Sequence, residues 1–244
     1  IRSAVCVRCP PRWLLFPVET DSGEVGRGEA ICDIHEEVEA ALHSLGERVC
    51  GADIHEISRL LEVQRRGRFW RDGVVLDAAL SALEMALWDL KGKQLGAPVH
   101  ELLGGRVRDQ VRVYRNAWGR TAEEFASSAA EAVSQSMTAI KVSPVGPTAN
   151  VASEADLASM LEVVTAVRES VGDEVHVAVD LHGRLSPATA RRAIELLAPL
   201  DPFFVEEPCL PEGSASHLAD LRTLRLSQKV PLATGERLRS LHTF

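Results

Sequence analysis

Residues 175–208 read VHVAVDLHGRLSPATARRAIELLAPLDPFFVEEP. An apolar run over 175–180 ends in the carboxylate Asp180. Ser186-Pro187 then supplies an N-cap followed by a proline at the first helical position, so a helix is expected to about Leu197. A second apolar run over 202–206 ends in the carboxylate Glu206. Strand, helix and strand in about 30 residues is one unit of a parallel sheet.

Working outward, the unit repeats. A helix is expected over 215–224 and a strand over 230–234, which leads into Gly235-Glu236. On the other side, strands are expected over 110–116 and 138–143. A capping box at Thr121-Ala122-Glu123-Glu124 opens a helix through Val133, and Ser153-Glu154-Ala155-Asp156 opens the next. The fold class is α/β, with five strands of an incomplete (β/α)8 TIM-like barrel, where eight strands close the ring.

Asp180, Glu206 and Glu236 lie 26 and 30 residues apart, close to one repeat. Successive units therefore bring all three to the carboxyl-end rim, where barrel enzymes keep their functional groups. Converging carboxylates repel unless a cation lies between them, and an all-oxygen set suits Mg²⁺ better than zinc. The other strand ends add Asn116, Lys141, His182, Arg184 and Arg237. His182 stands two residues beyond Asp180 and would share its face if the strand continued. It is a candidate catalytic group. Lys141 is a second: it could bind a substrate carboxylate, act as a base with lowered pKa, or pair with Glu206 or Glu207. Asn116, Arg184 and Arg237 are candidates for substrate binding.

Composition narrows the partners. The 244 residues carry net charge −8 with no basic block, which disfavours nucleic acid and anionic membranes. No apolar stretch approaches the roughly 18 residues that span a bilayer, and no secretory signal is visible, so a cytoplasmic protein is expected. Five scattered cysteines do not suggest a disulfide framework. Cys6-Val7-Arg8-Cys9 has metal-ligand spacing without a second pair, and reads as part of a strand. The start at Ile1 and the stop eight residues after Glu236 suggest an incomplete chain.

The first hundred residues follow another grammar. A hairpin is expected over 13–30, with its turn at Asp21-Ser22-Gly23. Helical spacing runs over 34–64, with Gly46 and Gly51 as breaks. Leu76, Leu80, Leu83, Leu87 and Leu90 mark a strong helix over 75–91. Ala79, Ala82 and Ala86 lie among them and permit close packing. Gly92 and Gly96 end or loosen this helix, and Leu102-Leu103-Gly104-Gly105 reads as a linker. The division is placed at 105, with domains 1–105 and 106–244.

These strand ends, with the helix ALEMALWDLKGK (82–93), the hairpin ETDSG (19–23) with GRGE (26–29), LLGG, VEEP and ATGER, resemble the mandelate-racemase-like subgroup of the enolase superfamily. The resemblance implies an N-terminal α+β capping domain on a modified TIM barrel. It implies Mg²⁺ on Asp180, Glu206 and Glu236. The Asp-x-His-Gly-Arg form at 180–184 looks most like the acid-sugar dehydratases, of the D-galactonate dehydratase type, in which the histidine matching His182 serves as general acid. Loops near 20–28 and 65–72 would close over a small sugar-acid substrate. The resemblance also implies a homo-oligomer of the full-length protein. Lys141-Val142-Ser143 lacks the second lysine of the Lys-x-Lys found in many racemases and cycloisomerases of the subgroup, which disfavours a racemase or lactonising reading. The usual histidine base has no match in 1–244, so this stretch alone is expected to be inactive; a racemase or epimerase of the same superfamily and a non-catalytic remnant are the alternatives.

Overall fold

The computed structural model describes residues 1–30, 33–71, 73–146, 152–209, 215–227 and 229–239, with the backbone alone for 215–218. The chain divides into two units, Ile1–Gln110 and Val111–Phe244. The division falls within 103–114, a stretch with neither helix nor strand, five residues beyond the expected 105.

In the first unit, β3 (Trp13–Glu19) pairs antiparallel with β4 (Val25–Ala30) on one side and with β1 (Ser3–Ala4) and β2 (Val7–Cys9) in turn on the other. Strand alternation is plain in β3: Leu14, Phe16 and Val18 are fully buried while Trp13 and Leu15 face outward. Against this sheet pack α1 (His35–Val49) and α3 (Val74–Leu95), with α2 (Ile57–Arg66) and the short α4 (Val99–Leu102) beside α3. Leu80, Leu83, Leu87 and Leu90 of α3 form the buried stripe. Each contributes about 2 kcal/mol relative to an exposed leucine. Ala82 and Ala86 do allow close approach: a Cβ on Gly28 would stand 1.8 Å from the Ala82 carbonyl oxygen, and one on Gly26 2.1 Å from that of Ala86.

Two glycines depart from expectation. Gly46 does not break α1; it lies inside the helix, where a Cβ would meet the Ala4 carbonyl oxygen at 2.1 Å. Its use is contact between helix and strand. Gly92 likewise stays within α3, which ends at Gly96, the second of the two glycines named, in the left-handed conformation at φ 64°. The Cys-x-x-C is not one continuous strand, because Cys6 falls between β1 and β2; it is buried, and its thiol is free.

The second unit is a parallel sheet in sequential order: β5 (Arg115–Ala117), β6 (Ala139–Val142), β7 (His176–Asp180), β8 (Val205–Glu206) and β9 (Leu232–Ala233). Between them run α5 (Ala122–Ser134), α6 (Glu154–Val171), α7 (Pro187–Leu197) and α8 (Ala215–Ser227). Two caps form as the sequence predicts: Ser153 and Asp156 make a reciprocal capping box, and Ser186 accepts from the Thr189 amide ahead of Pro187. At Thr121 only half of the expected box forms: its hydroxyl accepts from the Glu124 amide, while the Glu124 carboxylate accepts from the Arg120 amide one residue earlier. The first strand is shorter than the expected 110–116. Its ladder begins at Arg115↔Ile140, and Val111 and Val113 stay exposed without strand partners. Ile140, Val142, Val177, Val179 and Val205 join the helices in one core. By alternation, Lys141, Asp180 and Glu206 belong to the opposite face of the sheet.

Candidate functional site

Register brings two of the carboxylates together. Asp180 and Glu206 are direct partners in the β7–β8 ladder, so they leave the same sheet face at the same height. Lys141 is level with Ala178, two residues lower, a rise of about 6.6 Å that a lysine stem covers. Its ammonium lies 2.8 Å from Glu206 Oε2 and 3.2 Å from Asp180 Oδ2. The Tyr114 ring centroid is 5.2 Å from the same nitrogen. Burial alone would push this lysine down, but the hydrogen bonds to Glu206 and Tyr114 and the charge of Asp180 outweigh it and hold the ammonium above the ordinary lysine range. The direction is opposite to the lowered pKa of a base. Of the readings open in the sequence, the structure shows pairing with Glu206, and adds Asp180.

His182 reaches Asp180 by a route different from the one expected. β7 stops at Asp180, and His182 adopts a left-handed conformation at φ 50°. The turn folds back, so the His182 amide donates to Asp180 Oδ1 at 2.9 Å and Nε2 lies 3.3 Å from Oδ2. The imidazole remains partly exposed.

Glu236 sits beyond β9 with its side chain half exposed, 3.6 Å from the Arg237 guanidinium. Among the described residues, no three histidine, cysteine or acidic side chains gather at one point able to hold a metal ion. Arg237 donates to the His182 carbonyl at 3.0 Å, so part of its hydrogen bonding is spent on the protein. Arg184 is exposed, and its neighbourhood bridges to Cys209. Asn116 is exposed on β5, directly opposite Lys141.

One residue here was named only as a possible partner of Lys141. Glu207 is fully buried, at φ 42°. Its Oε1 accepts from the Thr234 hydroxyl at 2.8 Å and from the Gly235 amide at 2.9 Å. Its Oε2 has no hydrogen-bond partner among the described residues. The signal was available: Glu207 has the parity of buried Val205, and a buried carboxylate needs partners.

The donor set suits a hard divalent cation. Its groups are oxygen donors, and Asp180 and Glu206 already share one cation, the Lys141 ammonium. Among the described residues, no helix is long and apolar enough to cross a membrane.

Comparison with known proteins gives consistent matches. Residues 3–104 match the family described as Mandelate racemase / muconate lactonizing enzyme, N-terminal domain, and residues 124–244 match the Enolase C-terminal domain-like family. A D-galactonate dehydratase of Variovorax paradoxus is 37% identical over 238 residues, covering 97% of this chain and 61% of that protein. One from Klebsiella pneumoniae is 35% identical with the same coverage. This chain thus spans about three-fifths of the length of these curated relatives. Among solved structures, an enolase from Pantoea ananatis with bound D-gluconate and Mg superposes with TM-score 0.84 at 25% identity, over 100% of this chain and 67% of that one. A mandelate racemase/muconate lactonizing enzyme from Jannaschia sp. CCS1 gives TM-score 0.86 at 29% identity, over 100% and 69%.

Proposed function

This chain belongs to the enolase superfamily, with the N- and C-terminal domains of its mandelate racemase/muconate lactonizing group, and from that premise we propose that the whole protein is a Mg²⁺-dependent hydro-lyase acting on a sugar acid. The substrate is an aldonate such as galactonate, and the product is a 2-keto-3-deoxy acid. The observation that carries this reading is the His182 imidazole 3.3 Å from Asp180, beside the Asp180–Glu206 pair. A proton donor next to a carboxylate site is what elimination of a hydroxyl requires. The D-galactonate dehydratase relatives support the same class.

Asp180, Glu206 and Glu236 would hold the metal, with Lys141 keeping the first two side by side. Bound there, a divalent cation supplies charge stabilisation for a substrate carboxylate as its α-carbon loses a proton. His182 delivers a proton to the C3 hydroxyl, which departs as water while the C2–H bonding pair becomes the C2–C3 double bond of an enol. Ketonisation then gives the 2-keto acid. His182 is held for this by its amide bond to Asp180 and by Arg237 on its carbonyl. Asn116 and Arg184, exposed at the same strand ends, bind the polyol chain. No residue of 1–244 is assigned the base that takes the C2 proton; in this reading the whole protein supplies it from outside this stretch, and 1–244 alone would be inactive.

Incubation of the whole protein with a panel of aldonates and Mg²⁺ tests the reading. A 2-keto-3-deoxy product from at least one is expected, and none from any of them refutes it. His182→Asn should lose elimination while retaining exchange of the α-proton in D₂O. Loss of both would remove His182 from the acid role.

A further inference from the structure

Glu207 connects three strand ends. Its amide donates to the Ala233 carbonyl at 2.9 Å, on the strand that leads to Glu236. Its own carbonyl accepts from the Gly183 amide at 2.7 Å, next to His182. Its carboxylate Oε1 takes both the Thr234 hydroxyl and the Gly235 amide, the two residues before Glu236. A non-glycine residue at φ 42° is disfavoured. Such a conformation persists where the surroundings over-determine it, and these contacts do so.

Glu207 Oε2 has no hydrogen-bond partner among the described residues, and the side chain is fully buried. A group so costly to bury is not explained by packing, since a methionine would fill similar space without the penalty. What the carboxylate supplies is an acceptor for two donors on the neighbouring strand end. Those donors fix the backbone from which Glu236 projects.

We infer that Glu207 is a positioning residue, a strut that sets the Thr234–Gly235 backbone and through it the placement of Glu236 relative to Asp180 and His182. Its connection to metal rests on the proposed role of Glu236 as a ligand; its connection to the backbone does not.

Glu207→Met removes the acceptor, Glu207→Gln retains a carbonyl acceptor, and Thr234→Val removes one donor with little change of volume. Two readouts apply to the whole protein: amide hydrogen exchange at Gly235 without metal, and Mn²⁺ affinity by electron paramagnetic resonance. For Glu207→Met we expect exchange at Gly235 to accelerate about tenfold or more and Mn²⁺ binding to weaken by about 10–100-fold, the usual effect of removing a group that orients a ligand. Glu207→Gln should stay within about threefold of the parent in both, because it keeps the acceptor. Thr234→Val should weaken Mn²⁺ binding by about threefold, by loss of one of two hydrogen bonds. Parental exchange and affinity in Glu207→Met overturn the inference, as does Glu207→Gln behaving like Glu207→Met. If Glu207→Met does not fold, an unchanged Thr234→Val overturns it and a weakened one upholds it. If the parent itself binds no Mn²⁺, the metal reading fails, while exchange at Gly235 still decides the strut.

Discussion

At Lys141 an ammonium is shared between Glu206 at 2.8 Å and Asp180 at 3.2 Å, and all three side chains are largely buried. Removing one partner of a buried ion cluster leaves the others uncompensated. Lys141→Met should therefore lower stability by about 3 kcal/mol in metal-free protein, read by chemical denaturation. Millimolar Mg²⁺ should return part of that loss, since a bound cation would replace the missing charge; an unchanged midpoint in Lys141→Met would show that the cluster contributes nothing. The position of Lys141 at the rim was legible from its strand end. Its protonation was not, because a lysine near carboxylates and a lysine activated as a base share the same sequence context. Cys6 offers a second residue-scale test. Burial, then the nearby Glu39 charge, push its thiol from 9.0 up to about 11. The folded value is raised, so its contribution is fully present below about pH 9 and is lost as pH rises through about 11. Stability should fall across that window, and Cys6→Ala should flatten the slope. Mass spectrometry after alkylation at pH 8 should find exposed Cys50 modified well before Cys6.

At the scale of elements, β4 and α3 meet through glycine and alanine. A methyl at Gly28 would stand 1.8 Å from a backbone oxygen, where no rotamer change can relieve it. Gly28→Ala should cost about 2–3 kcal/mol through forced separation of strand and helix. Gly146→Ala is the contrast: nothing among the described residues lies within 4 Å of its would-be Cβ, and its effect should stay below about 1 kcal/mol. Equal losses in the two variants, measured by denaturation, would deny the close approach. The leucine stripe of α3 and the capping residues of α5, α6 and α7 were readable from period and cap chemistry alone. Glycine was not, because its meaning depends on what passes nearby. Gly46 reads as a break in one dimension and is a contact in three. Strand lengths were overestimated for a related reason. Residues 111–114 have the apolar content of a strand, but the ladder starts only where β6 supplies a partner, at Ile140.

For the molecule as a whole, the sequential order β5-β6-β7-β8-β9 was legible because each repeat has the length of one parallel crossover. The rim was legible only in part. Asp180 and Glu206 follow from register, whereas Glu236 lies three residues past the paired stretch of β9, where the turn and not the ladder decides its direction. The same order leaves β5 and β9 each paired on one side among the described residues. Val111 and Val113, exposed by 72% and 63%, flank the β5 edge. Unpaired edges beside apolar surface are templates for further strand pairing. Residues 1–244 produced alone should therefore self-associate, seen as concentration-dependent light scattering and early elution in size-exclusion chromatography. Lysine substitutions at Val111 and Val113 should reduce the association, since charge at an edge opposes pairing. A monomer with a single cooperative melt would mean that the two edges are satisfied within these residues, and would count against an open sheet.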